Sequence, residues 1–72
     1  MANLSERLQV LKLSRGLLQK DIAKDCSLSL RSYQYYERGQ VDPTATVLIA
    51  LADYFDVSLD YLVGRSDDPA RY

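Results

Sequence analysis

Between Ser29 and Gly39 the chain carries two arginines, a glutamine and three tyrosines in one short run, with Glu37 as its single acid. A serine suited to capping a helix opens the run, and a glycine suited to ending one closes it. Wound into a helix, the run sends Tyr33 and Tyr36, spaced i, i+3, to one side. Leu30, Arg31, Gln34, Tyr35 and Arg38 project on the other. That outer set has cations and hydrogen-bond donors and no carboxylate, which suits an anion better than a mixed-charge solvent face does. A helix also fits the width of the major groove of duplex DNA. Arg31, near the start of the helix, is the leading candidate to reach a base edge; its bland alternative is a solvated surface arginine.

Other chemistries fit the same residues less well. A nucleophilic tyrosine of recombinase type needs clustered arginine, histidine and lysine electrophiles, and the chain has no histidine. A stacking platform for single-stranded nucleic acid needs exposed rings, whereas Tyr33 and Tyr36 are spaced to turn inward. Cys26 lacks a histidine to activate it and a CxxC partner, so an inert buried thiol is expected. One cysteine and no histidine leave no ordinary Cys/His zinc site. No catalytic constellation, metal or cofactor is expected, and hence no enzyme.

The elements that must position this helix follow from periodicity and caps. The pattern predicts an all-α fold of five short helices, over about 4–14, 19–26, 30–38, 45–55 and 59–63. Leu4, Leu8 and Leu11 line one face of the first, with Asn3 as its cap and Glu6 completing a capping box. Val10 and Leu13 lie off that stripe, and either could be exposed. Ile22, Ala23 and Cys26 share a face of the second. Leu28, alone between two serines, plugs the core from the turn. Thr44 caps the fourth, where Leu48, Leu51, Ala52 and Phe55 give the clearest helical repeat. Asp56-Val57 reads as a link, and Ser58 caps the last. Two short helices joined by about three residues make a helix-turn-helix candidate.

The 72 residues make one domain, read as residues 1–66 with a polar tail over 67–72 that should fray. A chain this small buries only about 60% of its unfolded surface, so its core is marginal. The net charge is −1, which at first argues against a nucleic-acid partner. The distribution argues back. Residues 1–40 hold seven basic groups against four acids, and residues 41–72 hold two arginines against six aspartates. Phosphate binding needs local positive potential rather than global charge. No apolar run approaches the ~18 residues of a membrane span, and no signal peptide is evident, so a cytoplasmic protein is expected.

With these residues in place, the chain resembles the lambda repressor/Cro-like, or XRE-type, family of helix-turn-helix regulators. The resemblance runs over about residues 4–65. It rests on Leu8, Leu11, Gly16-Leu17, Gln19, Ile22-Ala23 and Leu28-Ser29, then on Tyr36-Glu37-Arg38-Gly39 and Pro43. Leu48, Leu51-Ala52, Phe55-Asp56-Val57-Ser58 and Asp60-Tyr61-Leu62-Val63-Gly64 complete it. Three positions depart from the family pattern. Leu18 stands where a capping threonine or serine is usual, Ser27 where glycine is frequent in the turn, and Lys12 where arginine is frequent.

The resemblance implies that the third helix enters the major groove, with Leu30, Arg31 and Tyr35 at base edges and Ser32 and Gln34 as further contacts. It implies phosphate contacts from Gln19, Ser29, Arg38 and Gln40; Gln40 is neutral where a cation is common, so affinity should be modest. Glu37 is expected to bond local backbone or a basic side chain. Two copies on a palindromic operator would give the affinity that one small domain lacks. Leu59, Tyr61 and Val63 are the candidate dimer surface, unless Leu59 and Val63 complete the monomer core. The function so implied is a phage- or prophage-type repressor binding double-stranded DNA. An antitoxin or antirepressor, whose main partner is another protein, is the alternative.

Overall fold

Helices in this chain start where a short polar side chain takes up a free backbone N–H. The computed structural model describes residues 3–71. Among them lie five helices and no strand: α1 (Leu4–Ser14), α2 (Gln19–Asp25), α3 (Leu30–Arg38), α4 (Ala45–Phe55) and α5 (Leu59–Leu62). Asn3 Oδ1 accepts from the Glu6 N–H at 3.0 Å, and Ser29 Oγ from the Ser32 N–H at 3.0 Å. Thr44 Oγ1 caps α4 and Ser58 Oγ caps α5 in the same way. Only α2 lacks such a cap, because Leu18 occupies the position.

All five helices close alike. A residue with positive φ follows each one: Gly16, Ser27, Gly39, Asp56 and Gly64. The next N–H then folds back onto a carbonyl five residues earlier, as from Leu28 to Ala23 at 2.8 Å and from Val57 to Ala52 at 3.0 Å. This closure satisfies the last carbonyls of the helix and turns the following side chain inward. Leu17, Leu28 and Val57 occupy that position, and all three pack into or against the core. It also corrects two expected helix ends. Cys26 (ψ 8°) and Val63 (ψ 2°) have left helical geometry to make the turn, so α2 ends at Asp25 and α5 at Leu62.

The core joins Leu8 and Leu11 of α1, Ile22 and Ala23 of α2, and Tyr33 of α3 to Leu51, Ala52 and Phe55 of α4, with Val57 and Leu62. Fully burying a leucine, isoleucine, valine or phenylalanine side chain contributes about 1.5–3 kcal/mol. Val57, expected in a link, is therefore a core residue, and the main α4 stripe is confirmed with Leu48 half-buried. Val10 and Leu13 are exposed. α3 packs chiefly on α1 and α2, while α5 packs on α4 and α1.

The polar tail makes contacts back to the helices. Ser58 N–H donates to the Pro69 carbonyl at 3.0 Å, and Arg71 pairs with Asp53 and Asp56. Arg7 reaches from α1 to Asp67 at 2.8 Å and to the Ser66 carbonyl, with its guanidinium 4.0 Å from the Tyr61 ring centroid. Tyr72 lies outside the described residues.

Candidate nucleic-acid interface

The geometry of the α2–α3 pair is set by the turn at Ser27-Leu28-Ser29. Ser27 adopts φ +58°, Leu28 drops onto the core, and Ser29 begins α3. Tyr33, fully buried, anchors α3 from within, with Tyr36 half-buried beside the core. No acid lies in the first turn of α3 and Arg38 lies in its last, so its positive N-terminal end is not neutralised from within.

Glu37 ties α3 to both neighbouring helices. Its backbone carbonyl accepts from Ser5 Oγ and Gln9 Nε2 of α1. Its carboxylate Oε1 accepts from Lys12 Nζ of α1 at 2.6 Å and from Gln19 Nε2 of α2 at 3.1 Å. Burial pushes this carboxyl up, but the hydrogen bonds from Lys12 and Gln19, the nearby Tyr33 hydroxyl and the Lys12 charge outweigh it and hold it below the usual carboxylate range. Oε2 and the Tyr33 hydroxyl are both buried without a hydrogen bond of ordinary geometry, yet the phenol is near enough for its dipole to favour the ionised carboxylate. The same burial, with Glu37 beside it, raises the Tyr33 phenol far above its ordinary value. A basic side chain does hold Glu37, as expected, but one from another helix.

Gln19 is therefore not a free surface amide. It donates inward to Glu37, and its Oε1 accepts from Gln34 Nε2 of α3 at 3.2 Å. One N–H of each amide remains for an outside ligand. Ser29 Oγ is committed to the cap and donates to Ser32 Oγ at 2.9 Å. Arg31, Arg38, Gln40 and Leu30 are exposed, Leu30 by 43%, while Ser32, Gln34 and Tyr35 are half-buried. The expected outer set thus shares one surface, with Gln19 joined to it through Gln34.

Sequence reading missed two pairings. Arg31 Nε donates to the Tyr35 hydroxyl at 2.8 Å, a contact that i, i+4 spacing could have signalled. The Lys12–Glu37 pair spans α1 and α3 across 25 positions, and no spacing rule reaches that far. Leu59, Tyr61 and Val63 lie on or just past α5, which does not pack broadly on α3. Leu59 is exposed and Val63 half-buried, and neither belongs to the core, whereas Tyr61 packs on it beneath Arg7. Ile49 and Leu59 flank a groove of about 230 Å³ floored by Ala52 and Val57 and edged by Arg71.

Comparison with known proteins gives the following. A helix-turn-helix family model matches residues 8–62. The chain is 36% identical over 62 residues to the cryptic phage CTXphi transcriptional repressor RstR of Vibrio cholerae, covering 86% of the chain and 55% of that protein. The structure of a transcriptional regulator from Listeria innocua superposes with a TM-score of 0.80 at 39% identity, covering 85% of this chain and 57% of that one. The P22 c2 repressor, solved with a synthetic operator, superposes with a TM-score of 0.84 at 23% identity, covering 92% of this chain and 100% of that one; at that identity it shows the fold alone. The chain spans about half the length of the curated relatives it matches.

Proposed function

The chain belongs to the lambda repressor/Cro-like (XRE-type) helix-turn-helix family, and from that premise we propose that it is a sequence-specific, double-stranded-DNA-binding transcriptional repressor. The observation that carries this is the surface of α3. It is exposed, free of acid on its outer face and aimed by Tyr33 and Glu37, with Arg31 at the end that meets base edges in such motifs. Arg31 is placed to make paired hydrogen bonds to guanine O6 and N7, and Leu30 to pack on a thymine methyl. Arg38, Gln40 and the remaining N–H of Gln19 would contact phosphates on either side of the groove, and Ser29 would do so only by turning its hydroxyl from Ser32.

RstR is named as a phage transcriptional repressor, which supports the repressor reading; the P22 c2 repressor, solved with a synthetic operator, shares the fold. In this reading the protein acts in the cytoplasm, where its DNA lies, by binding; the half-buried Cys26 thiol is pushed up by burial and by nearby Asp25, away from the nucleophilic thiolate. Two copies on a palindrome, with recognition helices about 34 Å apart, supply the affinity that one module lacks. The exposed Leu59 and the neighbouring groove favour α5 as the face where the copies meet.

The test is selection of binding sites from random duplex DNA. A defined, two-fold symmetric sequence should emerge, and Arg31→Ala should lose about 1–3 kcal/mol on it while relaxing one base position. Failure to enrich any sequence would overturn the proposal, and undiminished specificity in Arg31→Ala would overturn the assignment of the reading face.

A further inference from the structure

Arg31 is the only arginine on the outer face of α3 that is already held in place by a neighbour on that face. Its Nε donates to the Tyr35 hydroxyl at 2.8 Å, and its guanidinium carbon lies 5.6 Å from the Tyr35 ring centroid. Among the described residues no carboxylate pairs with Arg31; the carboxylates of the ion pairs are Asp67, Glu37, Asp53 and Asp56, taken by Arg7, Lys12 and Arg71. The contact follows from helix geometry. Side chains on a helix lean toward its N-terminus, so residue 35 covers the turn from which residue 31 projects. Tyr35 has only two side-chain torsions and is half-buried as a residue, so its hydroxyl has less freedom than the longer arginine it meets.

The choice of nitrogen matters. A guanidinium has five N–H donors in a rigid plane. Tyr35 takes the single donor on Nε and leaves both terminal nitrogens, Nη1 and Nη2, free of any ion pair with a described residue. Two parallel donors in one plane are what guanine O6 and N7 accept in the major groove. A hydrogen bond to Nη1 or Nη2 would have split that pair.

Resting on the DNA-reading function proposed above, we infer that Tyr35 is a positioning residue: its hydroxyl holds Arg31 Nε and so presents the Arg31 terminal nitrogens to one guanine of the operator. The ring of Tyr35 keeps its own apolar edge for a neighbouring base, but the hydroxyl works through Arg31. Ordering the arginine before binding reduces the conformational entropy lost when the bidentate contact forms.

The experiment uses the full chain and the site selected from random DNA by the unaltered protein. Affinity is measured on that site and on variants with each base pair exchanged, for Tyr35→Phe, Arg31→Ala and the double variant. Tyr35→Phe keeps the ring and removes only the hydroxyl; its thermal midpoint checks that α3 is intact. The expected result is a loss of guanine preference of about 3–10-fold, confined to the base pair to which Arg31→Ala is also blind, with no further loss when Tyr35→Phe is added to Arg31→Ala. A merely structural role would weaken all positions together. The inference is overturned if Tyr35→Phe discriminates guanine like the unaltered protein, or if its cost persists in the Arg31→Ala background. If the unaltered protein selects no site at all, the DNA-reading function falls, and this inference with it. A site selected and read equally well by Tyr35→Phe removes the positioning role alone.

Discussion

A carboxylate whose side chain is only 8% exposed needs a compensating charge, and Glu37 has Lys12, itself 18% exposed. The two partners are not equivalent. Removing Lys12 leaves the charge of Glu37 inside; removing the charge of Glu37 leaves an ammonium with a route to water. Lys12→Met should therefore cost about 3 kcal/mol or more, and Glu37→Gln about 2 kcal/mol, since an amide oxygen can still accept from Lys12 and Gln19. Urea midpoints of the two variants check the order, and a larger loss in Glu37→Gln would contradict it. The pH dependence has a fixed sign. A carboxyl whose folded value lies below its unfolded one stabilises the fold above the unfolded value, and that contribution is lost as pH falls through the folded one. Stability should thus fall below about pH 4–5 in the unaltered protein and fall less steeply in Glu37→Gln. The residue types at this site were readable from the sequence, since an acid in a basic run stands out. Its partners were not: Lys12 and Gln19 reach Glu37 from positions 25 and 18 residues away.

At the scale of elements, α2 is the weak one. It has seven residues, no side-chain cap at Leu18 and a serine at φ +58° just past its end. A left-handed conformation costs an L-residue roughly 1–2 kcal/mol, offset in part by the entropy that glycine loses on folding. Asp56 has the same backbone, but aspartate tolerates it better and its carboxylate there meets Arg71. Ser27→Gly should accordingly raise stability by about 0.5–1 kcal/mol, and Leu18→Thr should add about 1 kcal/mol by capping α2. The ends of α2 are about 10 Å apart, so the gains should add, which differential scanning calorimetry of both single variants and the double can check. A Ser27→Gly variant no more stable than its parent would mean that the serine side chain offsets the backbone strain. Four of the five helix starts were legible because a cap is local, and the strain at Ser27 was foreseeable from a residue type. The burial of Val57 was not: it follows from closure after Asp56, which turns a residue read as link into the core. Periodicity likewise could not say that Val10 and Leu13 face solvent, because only the placement of the other helices leaves that face uncovered.

Over the whole molecule, charge is divided between a basic first half and an acidic second half, but not every cation counted in the sequence is available to a partner. Of the seven basic residues in 1–40, Arg7 is bonded to Asp67 and stacked on Tyr61, and Lys12 is bonded to Glu37. That leaves Arg15, Lys20, Lys24 and Arg38, with Arg65 of the second half, all exposed, to face phosphates; Arg31 is assigned to a guanine, and Arg71 is held by Asp53 and Asp56. Each phosphate neutralised on duplex DNA contributes about −0.9 to the slope of log K against log salt. Five available cations therefore bound the slope at about −4.5 per copy, against about −6.3 if Arg7 and Lys12 also took part. Arg38→Ala should make the slope shallower by about 0.9 and weaken selected and unrelated duplexes by the same factor, because a phosphate contact carries no sequence information. Binding isotherms across a range of KCl concentrations test both statements. A slope near −6 per copy would mean that Arg7 or Lys12 leaves its internal carboxylate on binding. An Arg38→Ala effect confined to the selected site would move Arg38 from the phosphate backbone to a base edge.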